Sequence, residues 1–184
     1  MNTLKFLLCL VLFTYSFTMH FNEFENLLGK HISVTEKAIG NDFDNKLFGD
    51  EFYYIEDEFI KKDFYGMSYN CVSITTNEKD IVQSISVHFR KVIPREFYDS
   101  FIKKYGEPNN IQIIENRQVI SEGMNKDPNF KAYLRKSTFD LREGTFEEKP
   151  LYIIWKKEQF QIKAFLRHKQ NISEITFRIP TDKF

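Results

Sequence analysis

The sequence predicts an α+β protein made of two helix-then-antiparallel-sheet units in tandem, with the helices packed on one face of the sheet. Three observations lead to this prediction: amphipathic helical segments that end at glycine, alternating segments typical of strands, and the recurrence of this order in both halves of the chain. The expected boundaries are 1–18 for a signal peptide, 19–93 for the first unit and 94–184 for the second, with an insertion at 122–150.

The N-terminus has the pattern of a secretory signal peptide. One cation, Lys5, precedes an uninterrupted apolar run over residues 6–13, and small residues follow. Cleavage is expected after Ser16 or after Thr18. The apolar run is shorter than the roughly 20 residues that a membrane-spanning helix needs, so no stable membrane anchor is expected after cleavage. We therefore predict an exported protein, periplasmic or secreted.

Composition disfavours several functional classes. The 26 Lys and Arg residues are balanced by 26 Asp and Glu residues, so no basic excess exists to hold a nucleic acid. Behind the signal peptide only Cys71 remains, which excludes an intramolecular disulfide. The histidines lack partners at metal-ligand spacing, and no phosphate-binding or catalytic motif occurs. We expect no metal, no cofactor and no nucleic-acid partner.

Two short helices are predicted at the start of the first unit. The first covers residues 21–30. The second covers residues 34–39, with Ser33 as its N-cap, Glu36 completing a capping box, and Gly40 as its end.

Strands complete the first unit. The aromatic-rich segment 51–69 favours strands that are buried on one side. Residues 71–76 and 84–89 alternate between apolar and small polar side chains around a turn at 77–80, which predicts an antiparallel hairpin. One face of this hairpin is apolar, and the other carries hydroxyl groups.

Cys71 and His88 are the candidate catalytic pair, because both are expected on the hydroxyl-bearing face of this hairpin. A turn centred on residues 78–79 places Cys71 opposite Ser86 and diagonal to His88. A thiol and an imidazole within reach can form an activated nucleophile. No orienting third group or oxyanion donor is visible in the sequence, so a polar sheet face without catalysis is the favoured interpretation.

The second unit begins with the best-marked helix, at residues 94–105. Pro94 suits a first helical position, and apolar side chains then recur with a 3.6-residue period. Gly106 is expected to end the helix. Residues 111–121 resemble a strand, whereas 122–150 is long and polar, and a helical turn is predicted at 130–134.

Three further strands are predicted at 151–155, 159–167 and 172–179. Phe165 stands between Lys163 and Arg167 on the polar face of the middle strand, so these three are candidate partner contacts. Trp155 is a fourth candidate. The segment LYIIW is apolar on both sides, so Trp155 is either a core anchor, which is favoured, or an exposed binding anchor.

The two units match each other in pattern. Residues 82–87 match residues 172–177, and the apolar-Gly pair at 39–40 matches the pair at 105–106. In this order the chain resembles small exported helix-plus-sheet modules, namely the tandem units of the β-lactamase inhibitor protein family and the single units of small outer-membrane-assembly lipoproteins. It lacks the disulfides of the former and the lipid-bearing cysteine of the latter. The resemblance implies a non-catalytic envelope protein that binds other proteins through a sheet face.

Two functional hypotheses follow. The first is an exported non-catalytic module that binds another protein, of inhibitor, immunity or envelope-assembly type. The second is a secreted enzyme or small-ligand-binding protein that uses the sheet face of Cys71 and His88. The sequence identifies neither a partner nor a substrate.

Overall fold

The computed structural model describes residues 23–39, 46–47, 52–56, 62–69, 71–124 and 133–180. Within these ranges the chain has an α+β fold that is mostly sheet, with two α-helices and one large antiparallel sheet. The expected signal peptide at 1–18 lies outside the described residues. No helix in the described ranges is long and apolar enough to cross a membrane.

The helices are short and precede the strands of each half. A 3-10 helix (Phe24–Leu27) leads into α1 (Ile32–Ile39), and α2 (Arg95–Tyr105) opens the second half. A further 3-10 turn spans Phe146–Glu148. In chain order the strands are β1 (Lys46–Leu47), β2 (Phe52–Glu56), β3 (Lys62–Phe64), β4 (Met67–Tyr69), β5 (Cys71–Thr76), β6 (Val82–Phe89), β7 (Asn110–Met124), β8 (Tyr133–Glu143), β9 (Tyr152–Lys156), β10 (Gln161–Arg167) and β11 (Ile172–Arg178).

Among the described residues, nine strands form one sheet in the order β1-β2-β5-β6-β11-β10-β9-β7-β8, and every neighbouring pair is antiparallel. The last strand of the first half, β6, pairs with the last strand of the chain, β11, so that Val87 lies opposite Ile175. This central pair makes one continuous sheet out of both halves. The remaining two strands, β3 and β4, form a separate hairpin.

One face of the sheet is covered, and we call it the inner face. It is defined by the cross-strand row of Val72, Val87, Ile175, Ala164 and Ile153, each at most 2% exposed. The β3–β4 hairpin and α2 lie over it. The ring of Phe64 in β3 lies 6.2 Å from that of Phe177 in β11, and the ring of Phe101 in α2 lies 5.5 Å from that of Trp155 in β9, measured between centroids. The opposite side of the same strands is the outer face.

The predicted glycine end of α2 is confirmed. Gly106 adopts φ 76° and ψ −176°, and its N–H donates to the Ile102 carbonyl at 2.7 Å. Its own carbonyl accepts a hydrogen bond from the indole Nε1 of Trp155 at 3.0 Å. Pro94 occupies the N-cap position, and the helix begins at Arg95. A helix end and a strand are thereby joined through one glycine.

The first predicted helices need correction. Residues 23–30, the described part of the first expected helix, contain only a 3-10 turn, and α1 begins at Ile32, so Ser33 lies inside the helix and is not its cap. The Ser33 hydroxyl lies 2.9 Å from Nδ1 of His31, the residue that immediately precedes the helix. Gly40 lies outside the described residues.

Residues 122–150 are mostly strand where they are described. Strand β7 continues past residue 121 to Met124, and β8 returns along it, so much of the expected insertion is one arm of a long hairpin. Tyr133 and Leu134 belong to β8, which contradicts the helical turn expected there. The pattern does not show these strands because side chains on both of their faces are exposed, which removes the alternation that marks a half-buried strand.

Candidate functional site

The candidate residues of both halves come together in one cross-strand row on the outer face. Cys71 lies opposite His88, His88 opposite Glu174, Glu174 opposite Phe165, and Phe165 opposite Tyr152. We call these five residues the outer-face row. It unites the candidate pair Cys71 and His88 with the candidate contact Phe165, which the sequence placed in separate units.

The register of Cys71 differs from the expected one by two residues. Cys71 lies directly opposite His88, and Ser73 takes the place opposite Ser86. One residue of the difference comes from a β-bulge next to Thr75, and the other comes from a turn that is longer than expected. The Asn77 side chain organises this turn by accepting hydrogen bonds from the N–H groups of Lys79 and Ile81.

His88 is the centre of a polar network. Its Nε2 lies 2.9 Å from the Ser73 hydroxyl, and its Nδ1 lies 3.5 Å from a carboxylate oxygen of Glu174. Burial lowers the pKa of His88 below its ordinary value; the Glu174 carboxylate opposes this effect, and the Arg167 cation adds to it. The imidazole is therefore neutral at pH 7, and its tautomer is set by whether Ser73 donates or accepts.

Ser73 and Glu174 were not singled out from the sequence. The alternation of hydroxyl residues on β5 was a signal for Ser73, but Glu174 joins His88 only through the long-range pairing of β6 with β11. The order serine, histidine, glutamate is that of an acyl-transfer triad. However, Ser73 is only 9% exposed and Cys71 only 8%, so neither nucleophile is openly accessible to a substrate.

A second feature of the outer face is a cavity of about 480 Å³ next to the outer-face row, which we call the outer-face groove. It lies between the long hairpin and the β10–β11 turn. Its aromatic lining includes Phe139, Tyr152 and Phe165, and its cationic lining is Arg117, Lys149, Arg167 and Lys169.

Aromatic rings form the base of the groove. Tyr152 and Phe165 stack with their centroids 5.1 Å apart and an interplanar angle of 29°. The guanidinium of Arg167 lies 5.1 Å from the Phe165 ring, and that of Arg117 lies 5.6 Å from the Phe139 ring. Stacking on a ring positions a guanidinium while leaving its edge N–H groups available to an anion.

The groove carries an excess of positive charge. Its four cations share the lining with a single carboxylate, Glu148, and none of the four forms an ion pair with a carboxylate of the described residues. Glu148 is itself bound by Arg142 at 2.6 Å, and this hydrogen bond lowers the pKa of Glu148. The arrangement favours a ligand surface that combines carboxylates with an apolar or aromatic group.

The remaining candidates separate by face. Phe165 is half-buried and Arg167 exposed, and both line the groove. Lys163 lies on the outer face with its ammonium 5.4 Å from the Tyr152 ring. Trp155 is 0% exposed on the inner face, opposite Ile162, so it is a core residue and not a partner contact, as the favoured interpretation held.

No cluster of three or more metal-ligating side chains occurs among the residues that the structure describes. Comparison with protein-family models, curated proteins and solved structures finds no match for the chain. The resemblance to helix-plus-sheet inhibitor and lipoprotein modules stays a prediction, and the site is interpreted from its own geometry.

Proposed function

We propose that this protein is an exported, non-catalytic protein-binding module of inhibitor, immunity or envelope-assembly type. Its binding site is the outer-face groove. The observation that carries the proposal is the combination of the stacked Tyr152 and Phe165 rings with four cations that have no carboxylate partner among the described residues. Aromatic and arginine side chains in a concave site are the groups that contribute most to protein–protein affinity.

The partner surface is acidic and presents an apolar side chain. Carboxylates of the partner satisfy the N–H groups of Arg117 and Arg167, while the apolar side chain packs on Phe165. A long polyanion fits less well, because 26 carboxylates balance 26 cations over the whole chain and repel it outside the groove. The charge of the groove mainly accelerates association and selects the partner, and the rings supply the buried contact.

The proposal includes the organisation into two tandem units, 19–93 and 94–184. Its support is the sheet order, in which β5 and β2 follow β6 on one side, and β10 and β9 follow β11 on the other. A helix precedes the strands in each half. The outer-face row crosses the junction of the two units. A partner bound in the outer-face groove therefore contacts the second unit, next to the β6–β11 pair that joins the units.

The test is a cross-linked pull-down from the envelope fraction, with the chain from Phe17 onward as bait. Two variants change the groove, Phe165→Ala and Arg167→Glu. Lys103→Glu makes the same charge change at an exposed position on α2 and serves as the control. We expect one stoichiometric protein that both groove variants lose and the control retains. Retention by both groove variants rejects the groove, and the absence of any partner rejects the binding module.

A second candidate function is a secreted hydrolase, favoured by the geometry of Ser73, His88 and Glu174. In such a reaction the Ser73 oxygen attacks an ester carbonyl while His88 Nε2 takes its proton and Glu174 stabilises the imidazolium. The imidazolium then protonates the departing alkoxide as the ester C–O bond breaks, and water releases the acyl group from Ser73. It ranks second because Ser73 is nearly buried.

Labelling by a fluorophosphonate that disappears in Ser73→Ala supports this activity. Fast alkylation of Cys71 at neutral pH supports a Cys71–His88 pair instead, and no labelling by either reagent leaves the outer-face row without a nucleophile.

A further inference from the structure

Strand β8 is the last strand of the nine-stranded sheet, so one of its edges has no strand partner among the described residues. It is 11 residues long, and most of its side chains are exposed. These include large apolar ones, with Leu134 at 63%, Tyr133 at 58% and Leu141 at 42%. A long edge strand presents a row of backbone N–H and C=O groups to which another strand can pair.

The edge of β8 is regular. The β7–β8 ladder contains two register shifts, and in both of them the extra residue belongs to β7. Strand β8 itself continues from Tyr133 to Glu143 without interruption, so its side chains alternate strictly between the two faces. A regular edge of this length provides a ladder for a second strand along its whole extent.

We propose that β8 pairs with β8 of a second copy of this chain, antiparallel and centred on Thr138. The two-fold axis of such a pair is perpendicular to the sheet, so only residues whose numbers are both even or both odd lie opposite each other. Centring on Thr138 places Lys136 of each copy opposite Asp140 of the other. The pair therefore contains this charge complementarity twice.

The neighbouring registers are less favourable. Centring on Phe139 pairs Arg135 with Glu143 but also places Lys136 opposite Arg142, so an attraction and a repulsion offset each other, and centring on Ser137 places no opposite charges face to face. Centring on Lys136 or on Asp140 places like charges against each other, and centring on Leu141 pairs Asp140 with Arg142 but leaves only five residues in the ladder. Opposite charges across a strand pair stabilise it and like charges destabilise it, so the charges of β8 favour the long ladder centred on Thr138.

Both charged groups are available for the second copy. Lys136 and Asp140 are exposed. Neither forms an ion pair within the described residues, where Asp140 accepts a hydrogen bond from the Asn116 amide at 3.2 Å. A lysine on an edge strand usually protects it from pairing, but self-pairing in this register brings the Asp140 carboxylate to Lys136.

Self-pairing has a geometric consequence for the outer face. Because the axis is perpendicular to the sheet, the outer faces of the two copies lie on the same side. The outer-face groove includes Phe139 of β8, so the two grooves flank the new junction. A dimer thereby presents two cationic grooves to one side, which increases avidity for a partner with repeated acidic sites. The pairing itself does not depend on the proposed binding function.

The first test is the molar mass in solution of the chain from Phe17 onward, by sedimentation equilibrium at micromolar concentrations. We expect a dimer for the wild type and for the control Lys103→Asp. Lys136→Asp places two carboxylates opposite each other on both sides of Thr138, and we expect the dissociation constant to rise about tenfold or more. The double variant Lys136→Asp/Asp140→Lys exchanges the charges and restores the dimer.

The second test fixes the register and does not depend on the charge variants folding. Thr138 is opposite itself, within the Cα separation that a disulfide spans, so Thr138→Cys cross-links two copies on mild oxidation. Ser137→Cys lies opposite Phe139 and stays uncross-linked. A monomeric wild type, a dimer that is indifferent to Lys136→Asp, or a double variant that stays monomeric overturns the proposal. Pairing of β8 with a segment of another protein, while the pure chain is monomeric, also overturns it.

Discussion

The inner and outer faces of the sheet are built from the same strands and differ in almost every physical property. Val87, Ile175 and Ala164 on the inner face are 0% exposed. On the outer face, His88, Glu174 and Phe165 are the sequence neighbours of these three residues and are half-buried; His88 contacts Ser73 and Glu174, and Phe165 lies under the Arg167 guanidinium. Since both faces share one backbone, the comparison separates the side chains that stabilise the fold from those that are accessible to a partner.

The inner face carries a network of buried aromatic rings, whereas the outer face carries the half-buried stack of Tyr152 on Phe165. Phe64 has its ring centroid 5.3 Å from Phe24 and 6.0 Å from Phe101, so it joins the first 3-10 helix to α2. These rings belong to both halves of the chain, and the core is continuous across the central β6–β11 pair. A cavity made anywhere on this face therefore destabilises both halves.

The largest expected difference is between Trp155 and Phe165, two aromatic residues on neighbouring strands and opposite faces. Trp155→Ala removes a fully buried ring and its hydrogen bond to Gly106, so we expect a loss of about 3–5 kcal/mol in the free energy of unfolding. Phe165→Ala on the outer face is expected to cost about 1 kcal/mol or less. Denaturant unfolding of both variants measures the difference. Equal losses would contradict the division between the faces.

A smaller effect is expected at Gly106, which links α2 to the inner face. Its φ of 76° with ψ near 180° is strained for any residue with a Cβ, so Gly106→Ala is expected to cost roughly 1–3 kcal/mol in the free energy of unfolding. No atom lies within 4 Å of the added Cβ, so the cost comes from the backbone and not from a clash.

Gly123→Ala is the matched control for Gly106→Ala. Its added Cβ also meets no atom within 4 Å, and its backbone is that of an ordinary strand in the exposed part of β7. Thermal and denaturant unfolding should leave this variant close to the wild type. If both alanine variants are equally stable, the glycine end of α2 does not constrain the inner face.

Sequence patterns predicted the parts of the sheet in which one face is buried and the other is not. Strand β10 alternates strictly, so the outward position of Phe165 between Lys163 and Arg167 followed from parity alone. The glycine end of α2 was equally readable, because few residues other than glycine tolerate a positive φ there. Local signals of this kind place a side chain on a face.

What the sequence could not predict depends on pairing over long distances and on irregular strands. Glu174 stands next to His88 only because β11 pairs with β6, and no local pattern encodes that choice. The bulge beside Thr75 shifted Cys71 by a residue that hairpin geometry alone does not predict. The groove also needs β8, which lacks alternation because both of its faces are exposed, whereas the part of β7 that lines the groove lies within the strand predicted at 111–121. The inward position of Trp155 was set by its pairing with Ile162.

The smallest expected effect is the pH dependence of stability that His88 on the outer face produces. Burial keeps the pKa of His88 in the folded chain below 6.5, the ordinary histidine pKa that applies to the unfolded chain. The contribution of His88 to stability is therefore fully present above pH 6.5 and is lost as the pH falls through the lower pKa of the folded state. The measurement is the free energy of unfolding between pH 7.5 and about pH 5.

His88→Gln removes this titration and keeps a hydrogen-bonding side chain next to Ser73. The stability difference between wild type and variant should shrink or reverse as the pH falls. A constant difference across the range would mean that His88 has the same pKa in the folded and unfolded chain. In that case the polar contacts of His88 on the outer face would offset the effect of its burial on its pKa.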